Sequence, residues 1–100
     1  MFMEGVPPDI DLDEVGHRMT DVDGVREVHD LHIWGLSSRK RYLSAHIVVA
    51  GMEQWARIHR DLENMLARDF DLTHVTLQPE PASRQVRAPG DPFTISHQPH

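Results

Sequence analysis

The stretch Val28–Val49, VHDLHIWGLSSRKRYLSAHIVV, reads as two strands joined by a loop, and its apolar residues decide which way each strand faces. Side chains alternate across a strand, so residues of one parity share a face. Leu31 and Ile33 share one face of Val28 to Trp34, and Leu43, Ala45, Ile47 and Val49 share one face of Tyr42 to Val49. An antiparallel hairpin that buries both sets must pair odd positions with odd, which forces His32 and His46 together onto the opposite face. His29 has the parity of Leu31. In a regular strand it points toward the core, unless the strand begins after it or a bulge re-aims it. Asp30 has the parity of His32, and on that face it would supply a carboxylate or orient an imidazole.

Downstream, Trp55, Ile58, Leu62, Met65 and Leu66 make the apolar stripe of a helix over about residues 53 to 68, with Glu, Arg and Asp on its other side. His74 to Gln78 follows as a third strand: Val75 and Leu77 face the core, while His74, Thr76 and Gln78 face away. Upstream, Asp11 is the N-cap of a helix over about residues 11 to 20. Glu14 stands three residues on, and Leu12, Val15, Met19 and Val22 recur at helical spacing. Asp23 and Gly24 then turn the chain.

The order is α, β, β, α, β with both helices one-sided, which predicts an α+β, ferredoxin-like αββαβ fold without its first strand. Two helices cover one face of the three-stranded sheet, and the other face stays open for dimerisation. His32, His46 and His74 then lie on that open face beside Trp34, Tyr42 and Val48, an apolar patch that a partner should cover.

One hundred residues make one domain, and 39% apolar content makes its core small, so bound metal or a second copy would add needed stability. Ten basic against sixteen acidic residues give a net charge of −6, which excludes a phosphate-tracking surface and argues against nucleic acid as partner. With no cysteine, any metal must be held by nitrogen and oxygen. No stretch approaches the roughly 18 to 20 apolar residues that span a bilayer, and no signal peptide opens the chain, so a cytosolic location is expected. A nucleophile–base pair, a phosphate-binding glycine loop and a metalloprotease helix motif are all missing, so no enzyme is expected.

The runs MEGVPPDIDLDEV (Met3 to Val15), GVREVHDLHIW (Gly24 to Trp34), LSAHIVV (Leu43 to Val49) and DLTHVTLQPE (Asp71 to Glu80) carry a more specific message. In this order they resemble the cytoplasmic C-terminal domain of cation diffusion facilitator transporters of the CzcD type. The resemblance implies a V-shaped homodimer that binds Zn(II), and also Cd(II), Co(II) or Ni(II), and reports cytosolic metal by closing. The chain is expected to divide into an arm or linker over residues 1–10, a metal-binding regulatory domain over 11–81, and a proline-rich, disordered tail without periodicity over 82–100. Five of the seven prolines fall after Leu77. By motif position the resemblance implies His29, His46, His74 and Glu80 as ligands, with His32 standing beside them. Some members carry a histidine where this chain has Gln78, a poor zinc ligand, so His74 or His32 is expected to substitute.

Ion translocation is not expected in these residues, since the resembled transporters place it in a membrane domain ahead of this region. That membrane domain is an expected partner. As a free-standing chain the same fold would buffer metal or serve transporters. A dimeric small-molecule module is the alternative; it calls for a polar pocket at a glycine-rich loop, which the sequence lacks. His17 and His59 read as helix-surface residues and His97 and His100 as part of the tail. Arg39, Lys40 and Arg41 read as a solvated hairpin tip.

Overall fold

Asp11 starts the first helix. Its carboxylate accepts from the amides of Asp13 at 3.0 Å and Glu14 at 3.3 Å, groups that the first turn leaves without an intrahelical acceptor. The helix α1, Leu12–Thr20, carries Asp13 and Glu14 in that turn, where the macrodipole favours negative charge. Val15 and Met19, one turn apart, are buried against the sheet and the second helix.

The computed structural model describes residues 7, 9–35 and 40–82. Most of the expected arm, residues 36–39 of the hairpin loop and the expected tail after residue 82, with His97 and His100, lie outside the described residues. After α1 come β1 (Val25–Gly35), β2 (Arg41–Val49), a 3-10 turn (Met52–Gln54), α2 (Trp55–Phe70) and β3 (His74–Pro81). Arg41, expected in a solvated tip, instead opens β2, mostly buried and paired with Asp9 at 3.0 Å. The sheet order is β1-β2-β3. β1 and β2 are antiparallel, and β2 and β3 are parallel. A parallel pair needs a long crossover, and α2 supplies it. This is the expected ferredoxin-like α+β arrangement.

β3 runs past its expected end at Gln78 because Pro79 and Pro81 sit on an edge strand, where a missing N–H is tolerated. β1 starts three residues earlier than its apolar alternation suggests, for a different reason. The odd-with-odd pairing holds at Ile33↔Leu43, but the ladder then shifts to His29↔His46 and shifts again between Val25 and Glu27. At the first shift Asp30 is an extra residue with φ 54°. Each extra residue resets the alternation. Val28, Leu31 and Ile33 are therefore all buried, while His29 and His32 both lie on the outer face despite their opposite parity. The bulge re-aims His29.

The core is one cluster that includes Val28, Leu43, Ile47 and Val49 from the sheet and Ile58, Leu62, Met65 and Leu66 from α2. Gly24 turns the chain into β1 at φ 97°, and a Cβ there would lie 2.7 Å from Ile58 Cδ1. One expectation for the outer face needs correction. Val48 is not part of an exposed apolar patch: it is only 2% exposed. It sits on the central strand with Glu27 and Glu80 as its register partners, so long side chains flank it on both sides. Trp34 and Tyr42 stay half-buried and stack at 5.6 Å between ring centroids.

Candidate metal site

Three strands each bring one group to the same spot on the outer face. The bulge turns His29 outward from β1, opposite His46 at the middle of β2, and their ring centroids stand 5.2 Å apart. Glu80 arrives from β3 because the parallel register sets His46 beside Gln78, two residues before it. Its carboxylate accepts from His29 Nε2 at 2.8 Å and from His46 Nδ1 at 2.6 Å. On the other side of the His46 ring, Nε2 is 3.9 Å from Asp30 Oδ2. The ligating atoms of His29, Asp30 and His46 all lie within 4.8 Å of one another.

Electrostatics at this spot favour an ionised carboxylate. Burial pushes the Glu80 carboxyl up, but the hydrogen bonds from His29 and His46 outweigh it and leave the group below its ordinary 4.5. With both rings donating to Glu80, each imidazole keeps its second nitrogen for another partner. Two imidazoles and two carboxylates without a thiolate form the N/O donor set that divalent first-row cations accept.

Of the other expected site residues, His32 is exposed and borders a groove of about 280 Å³ next to His46, which Asp30, Ser44, Thr76 and Gln78 also line. His74 is not brought to the cluster. It pairs with Tyr42 and stacks on that ring at 4.9 Å, toward the other end of the sheet. His17 is exposed and bonds to the Asp13 carbonyl at 2.7 Å. His59 lies on α2 beside Trp55, at 5.2 Å between centroids. The closeness of Asp30 to His46 Nε2 was accessible to parity reasoning only as a carboxylate on the histidine face. Its actual placement depends on the bulge.

Nitrogen and carboxylate oxygen converging on an open sheet face define a small α+β domain with the donor chemistry of a divalent-cation site. The comparisons with known proteins make this specific. Residues 7–82 match the family model for the cytoplasmic domain of cation efflux proteins, and the chain belongs to that family. It is 43% identical over 79 residues to the metal cation efflux system protein CzcD of Cupriavidus metallidurans, covering 78% of this chain and 25% of that protein. It is 37% identical over 86 residues to the cadmium, cobalt and zinc/H(+)-K(+) antiporter of Bacillus velezensis, covering 83% of this chain and 27% of that protein. The chain thus spans about a quarter of the length of these relatives. Among solved structures, the metal-bound C-terminal domain of the CzcD transporter from Cupriavidus metallidurans superimposes with TM-score 0.66 at 42% identity, covering 71% of this chain and 99% of that one. No helix among the described residues is long and apolar enough to cross a membrane.

Proposed function

We propose that this domain regulates cation efflux by binding a divalent metal ion, Zn(II) first and also Cd(II), Co(II) or Ni(II), at the outer face of its sheet. The observation that carries the reading is the convergence of His29, His46 and Glu80 from three separate strands. A fold does not gather two imidazoles and a carboxylate at the middle of an open sheet face for stability alone, since desolvating them has a cost. The names of the efflux relatives support cadmium, cobalt and zinc as the candidate ions.

In this reading His29, His46 and Glu80 hold the ion, Asp30 and His32 stand on its groove side, and His74 stays outside the centre. The working unit is a homodimer attached to a transporter's membrane domain. Metal acts by biasing the angle between protomers and leaves the fold of each unchanged. Such a bias requires the ion to prefer one arrangement, because a ligand that binds both equally shifts neither.

The test is Zn(II) titration of the dimer, followed by melting temperature and by the distance between spin labels on the two protomers. A ligand that prefers the folded state raises the melting temperature by mass action. The expected result is that rise together with a narrower distance distribution. A rise with unchanged distances would turn the reading to a metal buffer, and no rise at all would end it.

A further inference from the structure

We propose that the turn between α1 and β1 is a site of self-modification, at which Asp23 and Gly24 close to a succinimide and reopen as an isoaspartyl linkage, with Arg57 as the positioning residue. The modified turn is then a substrate for a carboxyl methyltransferase that acts on isoaspartate. This chemistry is separate from metal binding and does not depend on it.

Asp23 and Gly24 form the one Asp–Gly pair in the chain, so the product has a single origin. Ring closure needs a reachable carboxyl and an unhindered following nitrogen. The Asp23 side chain is 96% exposed, and Gly24 has no Cβ to obstruct its nitrogen. Val22 and Val25, on either side, donate to the Met19 and Val22 carbonyls at 3.2 and 3.1 Å, whereas the Gly24 amide donates to no carbonyl among the described residues. The turn is held at both ends while the reacting N–H is not.

Arg57, from α2, supplies the charge. Its Nη1 donates to the Asp23 carbonyl at 3.1 Å, and its Nη2 stands 3.8 Å from Asp23 Oδ2. Asp61 and Gln54 fix the guanidinium from its own helix, at 3.1 and 3.2 Å. A cation on the carbonyl oxygen draws electrons from the attached amide and makes the Gly24 N–H a better acid. The same charge stabilises the oxyanion that forms at Asp23 Cγ. Gly24 N bonds to that carbon as its C–OH bond breaks, and the hydroxyl leaves as water with the proton that Gly24 N gives up.

Solvent water then opens the ring. Addition at Cγ restores aspartate. Addition at the former main-chain carbonyl breaks its bond to Gly24 N, so that the chain runs through Cβ and Cγ and the old carbonyl becomes a free carboxylate. That carboxylate forms where Arg57 already donates. The extra main-chain carbon has to be taken up on the exposed side of the turn, because Gly24 is fixed: its carbonyl accepts from the Ala50 amide at 3.0 Å, and a Cβ on it would lie 2.7 Å from Ile58 Cδ1.

The test incubates the folded full chain beside a free peptide of residues 21–27. Isoaspartate is read by peptide mapping and by methyl transfer from labelled S-adenosylmethionine to the intact chain with an isoaspartyl methyltransferase. The folded chain should isomerise at Asp23 at least as fast as the peptide. Arg57→Gln should slow it roughly two- to fivefold, the scale of an exposed charge contact, and Arg57→Lys, which keeps the charge, should recover most of the rate. Asp23→Glu, whose longer side chain closes a less favoured ring, should abolish the signal. A folded chain slower than the peptide overturns the proposal without recourse to any variant. Arg57→Gln as fast as the parent overturns it as well, and so does a signal that survives Asp23→Glu, since the isoaspartate would then lie elsewhere.

Discussion

His29 and His46 face each other across β1 and β2 with ring centroids 5.2 Å apart, although one position is odd, the other is even, and the same ladder pairs Ile33 with Leu43. The single extra residue Asp30 reconciles the two. Without it, the alternation would send His29 toward the helices and leave His46 with one imidazole fewer within reach. The candidate site thus depends on a backbone irregularity as much as on residue identity.

A β-branched residue at Asp30 should expose that dependence. At φ 54° a valine side chain crowds the following carbonyl, at a cost of roughly 1–2 kcal/mol, whereas asparagine tolerates the conformation. Urea unfolding of metal-free protein should show Asp30→Val destabilised by about that amount and Asp30→Asn within about 0.5 kcal/mol of the parent. Equal midpoints for the two variants would mean that the bulge has relaxed.

Gly24 gives a second backbone test, far from the histidines. Its φ of 97° and the 2.7 Å approach of a Cβ to Ile58 Cδ1 set both conformation and packing against any side chain. Gly24→Ala should cost roughly 1–3 kcal/mol, since the left-handed backbone and the overpacked core both resist it. The zinc affinity of the folded fraction should stay unchanged. A loss of affinity at unchanged stability would contradict the placement of this turn.

The sequence made the order of elements legible because helices and strands bury apolar residues at different periods. Ile58, Leu62, Met65 and Leu66 repeat at the helical period, and Leu43, Ala45, Ile47 and Val49 alternate. The bulges left no such mark. An extra Asp in a strand looks like any polar residue, so His29 could be placed on either face until the register was known. Val48 shows the complementary limit: parity gave its face correctly, but its burial depends on Glu27 and Glu80 from neighbouring strands. The end of β3 was missed because two prolines look like a stop, although on an edge strand they are not. His74 had the right parity and the wrong row, since parity fixes a face but not a position along it.

Acid should weaken the metal-free fold through two carboxylates. Glu80 has a carboxyl below its ordinary 4.5 in the fold. Its contribution is therefore complete above that value and is lost as pH falls through the lowered one. Urea midpoints of parent and Glu80→Gln should differ at pH 7 and converge as pH falls well below the ordinary 4.5. Asp69, bonded first by Arg68 and then by Arg18, is lowered to about 2. Its contribution should persist above the ordinary carboxylate range and fade only as pH approaches that value. A Glu80→Gln gap that stays constant as pH falls would show that the histidine bonds contribute nothing in solution.

Zinc binding should separate His46 from His74, although both lie on the outer face. His46 is the imidazole shared by both carboxylates, with Glu80 at Nδ1 and Asp30 at Nε2. His46→Ala should therefore reduce Zn(II) affinity by more than the roughly 10–100-fold typical of losing an outer-shell partner. His74 lies four residues before Gln78 on β3, about 13 Å along the strand at the usual rise, and its ring is stacked on Tyr42. His74→Ala should leave zinc affinity within about twofold and lower stability by roughly 0.5–1 kcal/mol, the scale of one cross-strand ring pair. Calorimetric titration of both variants beside the parent checks this, with unfolding measured on the same samples. If His74→Ala loses zinc as His46→Ala does, the ion bridges to the far end of the sheet, and the centre drawn here around His29, His46 and Glu80 is misplaced.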